Sequence, residues 1–239
     1  MRHLLNLHRD ADTVLEESVA REPAILGQLL QLDLDIAVWE DRIAGRPEAE
    51  LLKNARKELA LAIYAASSGL YRLGYDGIRL FLELSFAAVY FSANELQRRQ
   101  WISDRSDFSW SKALDQADGV LSSSFVREFL LDAVDVAPTY ADLALKSYRR
   151  CSQFVHGKLA VTKSIPENLT FSREVFLDWA ATGRDSATAT LFLLLCRYGS
   201  ELAIVDDSEL SSTIEHSFAQ HAFVRIILGL PVDREENGR

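Results

Sequence analysis

Ten residues, Tyr148 to Gly157 (YRRCSQFVHG), hold the side chains best suited to chemistry: Arg149, Arg150, Ser152 and His156. Histidine gains and loses a proton near neutral pH, and arginine stays charged and can hold two phosphate oxygens at once. Together they suit cleavage at a phosphodiester. A base must take the proton of a ribose 2′-hydroxyl, an acid must protonate the leaving oxygen, and positive charge must meet the phosphate as its own charge builds. An α-helix turns about 100° and rises about 1.5 Å per residue, so Arg149 and His156 fall within about 20° of each other and about 10.5 Å apart along the axis. Ser152 lies between them and is positioned to orient either. Arg150 points well away in an ideal helix and comes back only if a turn is distorted. Arg149 is therefore the first choice. Cys151, Phe154 and Val155 are left to pack inward.

Charge sharpens this reading. The chain carries a formal net charge of −9, which argues against broad nonspecific binding of nucleic acid over the whole surface, and no DNA ligand is expected. From Lys146 to Lys163, however, the charged residues are all basic: Lys146, Arg149, Arg150, Lys158 and Lys163. Lys146, Lys158 and Lys163 are candidate substrate-binding residues around a local positive site, the alternative being a solvated helix face. Competing chemistries are poorly supplied. His216 and His221 are five apart rather than four, Cys151 and Cys196 lack ligand spacing, and the expectation is no metal and no cofactor. The phosphate-binding loops GxxxxGK[ST] and GxGxxG and the GxSxG elbow do not occur.

The elements that must position these residues read as helices throughout. Pro23 starts a helix whose Ile25, Leu29, Leu32, Ile36 and Trp39 recur at three- and four-residue steps. A third run spans 48–68 with Gly69 as its stop, and an apolar run spans 70–99, where Gly74 and Gly77 suggest close helix contact. In that run Arg79 and Glu83 stand four apart and share a face, as an ion pair or as groups that position substrate. Ser122 to Ser124 offer caps for 125–136, and the motif helix is expected over about 139–156, with Gly157 as its C-terminal cap. The segment 158–171 should be irregular. Ser172 should cap a helix over 173–181, a turn is expected at 182–184, and two helices should follow over 187–205 and 209–230. The fold class is all-α: a bundle of eight to ten helices in one domain, with N-terminal helices over 1–47, the core over 48–230 and a frayed tail over 231–239. Residues 2–9 form a polar leader with no secretory signal, and no apolar run is long enough for a membrane span, which points to the cytoplasm.

The spacing from Arg149 to His156, in an all-helical setting and after a helix containing Gly77, Ile78, Arg79, Leu80, Phe81, Leu82, Glu83 and Leu84, resembles the HEPN superfamily. The commonest form of the family's signature has four residues between arginine and histidine. Here Cys151 falls in that register, and the longer permitted spacers select Arg150 or Arg149. The resemblance implies a metal-independent endoribonuclease acting on RNA, in a toxin or phage-defence setting. It also implies a homodimer or a HEPN-like partner protein, because two facing motifs would supply the second proton carrier that one histidine lacks. The rival expectation is a catalytically inactive helical module that holds a partner protein or a small anionic ligand within a larger complex.

Overall fold

A computed structural model describes residues 2–231, and they form helices joined by turns, with no β-strand among them. The tail expected over 231–239 lies, apart from Pro231, outside the described residues. Helix α1 (Arg2–Arg21) takes in the polar leader over 2–9, so His3 and His8 are helical. Nothing in it breaks a helix, and Leu4, Leu7, Ala11 and Val14 follow three- and four-residue steps. Only Val14 and Ser18 of α1 are buried. Helix α2 (Pro23–Arg42) carries proline in its first turn and buries Ile36 and Trp39 completely.

Helices α3 (Ala49–Ser67) and α4 (Tyr71–Ala93) form a tight hairpin. Gly69, at φ +77°, lets the Leu70 N–H turn back to the Ala65 carbonyl and close α3. The two glycines early in α4 mark the close approach. A Cβ on Gly77 would stand 2.8 Å from Ala62 Cβ, and one on Gly74 would stand 2.9 Å from Trp179 Nε1. Gly77→Val is accordingly expected to destabilise the protein by about 1–3 kcal/mol, the usual cost of overpacking. The check is the midpoint of urea unfolding, and an unchanged midpoint would mean that α3 yields to the side chain.

Helix α4 ends at Ala93 rather than near Arg99. The Asn94 side chain donates to the Tyr90 carbonyl at 2.8 Å, a local bond that competes with continued helix, and α5 (Glu95–Ile102) starts afresh. Ser109 caps the short α6 (Trp110–Ala113), and Ser122 caps α7 (Ser123–Phe129), which a 3-10 turn over Leu131–Ala133 follows. Helix α8 (Ala137–Val155) carries the motif. The irregular segment after it contains one helical turn, α9 (Leu159–Thr162).

Helix α10 (Arg173–Tyr198) is the centre of the bundle and packs against α8, α4 and α2. It runs unbroken through 182–184, where a turn was expected. Thr182 and Ser186 return their hydroxyl protons to the carbonyls of Asp178 and Thr182, four residues back. Gly183 is a contact point rather than a stop, since a Cβ there would lie 3.5 Å from Ile78 and Leu29. Tertiary packing outweighs the local breaker. Ser172 occupies the N-cap position of α10 but makes no side-chain cap bond; its N–H donates to Tyr71 Oη at 2.8 Å. From Ala187 to Tyr198 only Thr188, a half-buried residue, departs from burial, as a helix in the middle of a core requires. A 3-10 turn (Ile204–Asp206) leads to α11 (Ser208–Phe218) and α12 (Ala222–Ile227), two helices where one was expected over 209–230. No helix among the described residues is long and apolar enough to cross a membrane.

The two C-terminal histidines each meet a polar side chain of another helix. His216 Nδ1 is 3.1 Å from Asp35 Oδ2, and His221 Nε2 is 2.6 Å from Tyr140 Oη. Burial holds the His221 pKa below its ordinary value and pushes that of Tyr140 up to about 12. As pH falls below about 6.5, the unfolded chain takes up a proton that folded His221 resists, so His221 contributes stability above that pH and loses it through the lower folded pKa. The unfolding free energy of the wild type should therefore fall more steeply from pH 7 to pH 5 than that of His221→Gln, as measured by urea titration. Parallel profiles would contradict this.

Candidate functional site on helix α8

Helix α8 lies against α4 on one side and α10 on the other, and burial sorts its C-terminal half into three stripes. Ala144, Ser147, Cys151 and Phe154 are buried and face the core. Arg149 and His156 are exposed on the far side, and neither forms an ion pair among the described residues. Tyr148, Arg150 and Ser152 occupy the flanks, half-buried.

The end of α8 is closed by a glycine turn, as the sequence suggests. Gly157 stands at φ +61°, its N–H donates to the Phe154 carbonyl, and the Lys158 N–H donates to the Gln153 carbonyl, both at 3.0 Å. His156 is the last residue before the chain reverses. Arg72 of α4 reaches the same end and donates to the Val155 carbonyl at 3.2 Å. A cation at the negative end of a helix is favourably placed.

Arg150 is committed elsewhere. Its Nε and Nη2 reach Asp178 Oδ2 of α10 at 3.0 and 2.7 Å, and the Tyr75 hydroxyl donates to the same oxygen. The guanidinium lies over the Phe154 ring, 5.0 Å from its centre, while Tyr75 stacks on that ring at 3.7 Å. Burial opposes the Arg150 charge, but Asp178 outweighs it and holds the pKa above the ordinary value. A cleft of about 200 Å³ beside this pair is lined by Arg150, Phe154 and Asp178, together with Ser164 and Glu174. Arg149 and Arg150 thus have separate surroundings, one open to solvent and one tied to α10.

Ser152 does not orient Arg149 or His156. Its hydroxyl donates to the Tyr148 carbonyl at 2.8 Å, the bond back along the helix that serine commonly makes. The Arg79 and Glu83 pair is joined at 3.2 Å, as an ion pair on one helix face should be. Tyr148 completes it: the hydroxyl accepts from Arg79 Nη2 at 2.9 Å and donates to Glu83 Oε1 at 3.0 Å. Trp110 stacks on the Tyr148 ring with centres 4.2 Å apart. Cys151 and Cys196 are fully buried, and burial pushes both thiols up.

The basic run is thinner in space than in sequence. Asp178 neutralises Arg150, and Asp142 holds Lys146 at 2.6 Å one turn away. Arg149 remains, with exposed Lys158 and Lys163 beyond the glycine turn and Arg72 arriving from α4.

Two contributors escape a reading of the motif alone. Arg72, Asp76, Arg79 and Glu83 lie at steps of four, three and four along α4 and form a polar stripe on a largely apolar helix. That spacing was there to be read. Asp76 Oδ1 is buried without a protein partner, and burial raises its carboxyl above the usual range. Asp178 had no such signal, because only the packing of α8 on α10 brings it to Arg150.

Searches against protein-family models, curated proteins and solved structures return no match to this chain.

Proposed function

We propose that the protein is a metal-independent endoribonuclease resembling the HEPN superfamily, with Arg149 and His156 as its reacting groups. One observation carries the reading: both side chains are exposed on the same face of α8, and neither is used in an ion pair among the described residues. In such a site Arg149 holds the scissile phosphate. Neutral His156 takes the 2′-hydroxyl proton as that oxygen bonds to phosphorus and the 5′-oxygen leaves. The leaving oxygen needs a proton of its own, which a protonated His156 from a second copy, or the histidine of a HEPN-like partner, would supply. Such a pairing is part of the proposal, as are the cytoplasmic location and the toxin or phage-defence role that the resemblance implies.

Lys158 and Lys163 are assigned to the RNA backbone, and Arg79 and Glu83 to substrate positioning through Tyr148. Arg150 and Lys146, already paired with carboxylates, are assigned to holding the surface in shape. Incubating the purified protein with RNA in EDTA, beside Arg149→Ala and His156→Ala, tests the assignment. Equal cleavage by all three proteins would end it.

A second reading has its own observation. Arg150 and Ser152, two of the four candidate catalytic groups, are fully engaged within the fold. A catalytically inactive module that uses the Arg149 face to hold a partner protein or a small anion would need no more than this. A tight protein complex that leaves RNA intact would favour it.

A further inference from the structure

A cleft of about 390 Å³ lies between α4, the α5–α6 connection and α8, next to the Arg149 face but outside it. Trp101, Phe108 and Trp110, all partly exposed, line it together with Tyr148, Arg79 and Glu83. Clefts of comparable size between α2 and α3 are lined by charged and small side chains with no aromatic ring. Aromatic walls with a few convergent polar groups are the composition of a ligand site.

We infer that this cleft is a subsite for one unpaired nucleobase of the RNA strand. The inference rests on the ribonuclease reading. Bases freed from a duplex are recognised by stacking on aromatic rings and by hydrogen bonds to their edges, and the cleft supplies both. Arg79 brings guanidinium donors. Glu83 brings an acceptor: its bonds to Arg79 and Tyr148 both converge on Oε1, so neither needs the second oxygen. Glu83 and Asp107 in the lining disfavour an anion, whereas an uncharged planar ring meets no such opposition. The Tyr148 ring is already covered by Trp110 and by the Arg79 guanidinium, so the base is assigned to the Trp101 and Phe108 side of the cleft and the phosphate to Arg149, the residue after Tyr148 on α8.

The test separates binding from cleavage by using a short single-stranded RNA whose 2′-hydroxyls are all methylated, which cannot be cut. It is titrated into the full-length protein and followed by tryptophan fluorescence and by anisotropy of an end label. The wild type should show saturable quenching. Glu83→Gln, which keeps the shape and removes the charge, should weaken binding by about tenfold, the loss expected for one hydrogen bond to a charged group. Leu80→Glu, at an exposed rim position of the same cleft, should weaken it as well, and Leu61→Glu, exposed on α3, should not. Absence of saturable binding, or equal affinity in all four proteins, would overturn the subsite. Binding that follows this pattern while unmodified RNA stays intact would keep the subsite and remove the nuclease. Cleavage of unmodified RNA that is indifferent to Glu83→Gln and Leu80→Glu would do the reverse.

Discussion

His156→Ala is expected to lower the rate of RNA cleavage by about 10²–10⁴-fold, the range a positioned proton-transfer group contributes. The unfolding midpoint should barely move, because the ring is exposed and no ion pair depends on it among the described residues. That separation of rate from stability gives the experiment its force, since a histidine that mattered only to packing would move both together. Arg149→Ala should cost about 10²–10³-fold, as removal of one donor to a developing oxyanion does. Arg149→Lys should recover part of that loss, because lysine keeps the charge without the two-toothed grip on a phosphate. Arg150→Ala should show the opposite profile. Its partners are Asp178 and the Phe154 ring, so it should lower stability first and activity only as the end of α8 loosens. Initial rates in EDTA, measured beside urea unfolding for each variant, check the set.

Phe154→Ala is expected to be the most destabilising single change near the site, at about 3–5 kcal/mol, the usual cost of truncating a buried phenylalanine. The ring is completely buried, with Tyr75 stacked on it and the Arg150 guanidinium over it. Its removal leaves a cavity between α4 and α8 and takes away the surface that steadies Arg150 against Asp178. For a domain of this size each kcal/mol moves the thermal midpoint by about 2–4 °C, so a fall of roughly 10 °C is expected. Phe154→Leu should recover much of it. A midpoint within a few degrees of the wild type would mean that the α4–α8 contact is held by other residues.

The fold was largely legible because its signals are periodic. The apolar steps of α2 and α3 place Ile36, Trp39, Leu52 and Leu59 in the core, and the all-α architecture follows from many such stripes. Turns that a left-handed residue must make were legible too: Gly69 and Gly157 both stand at positive φ where helices close. Boundaries fixed by packing were not. Gly183 reads as a breaker, yet in the bundle it is where α10 meets Ile78 and Leu29. Asn94 looks unremarkable inside an apolar run, yet its side chain ends α4.

The site divides in the same way. Helical geometry alone separates exposed Arg149 and His156 from buried Cys151 and Phe154, because all four lie on one rigid element. It misplaces Ser152, whose hydroxyl prefers a carbonyl of its own helix. What spacing cannot supply is the partner across an interface. Asp178 lies 28 residues beyond Arg150 and cancels its charge, and Tyr148 is 65 residues from Glu83 yet bonds to it. The Arg150–Asp178 pair, with the local Lys146–Asp142 pair, turns a run of five basic residues into one open arginine with lysines beyond it.

The chemistry of the RNA ends after incubation of the wild-type protein with single-stranded RNA in EDTA is the most direct test of the central claim. Attack by a 2′-hydroxyl that His156 deprotonates predicts fragments ending in 2′,3′-cyclic phosphate, each followed by a fragment beginning with a 5′-hydroxyl, and their loss in His156→Ala. Intact RNA, or fragments carrying 3′-hydroxyl and 5′-phosphate ends, would contradict it.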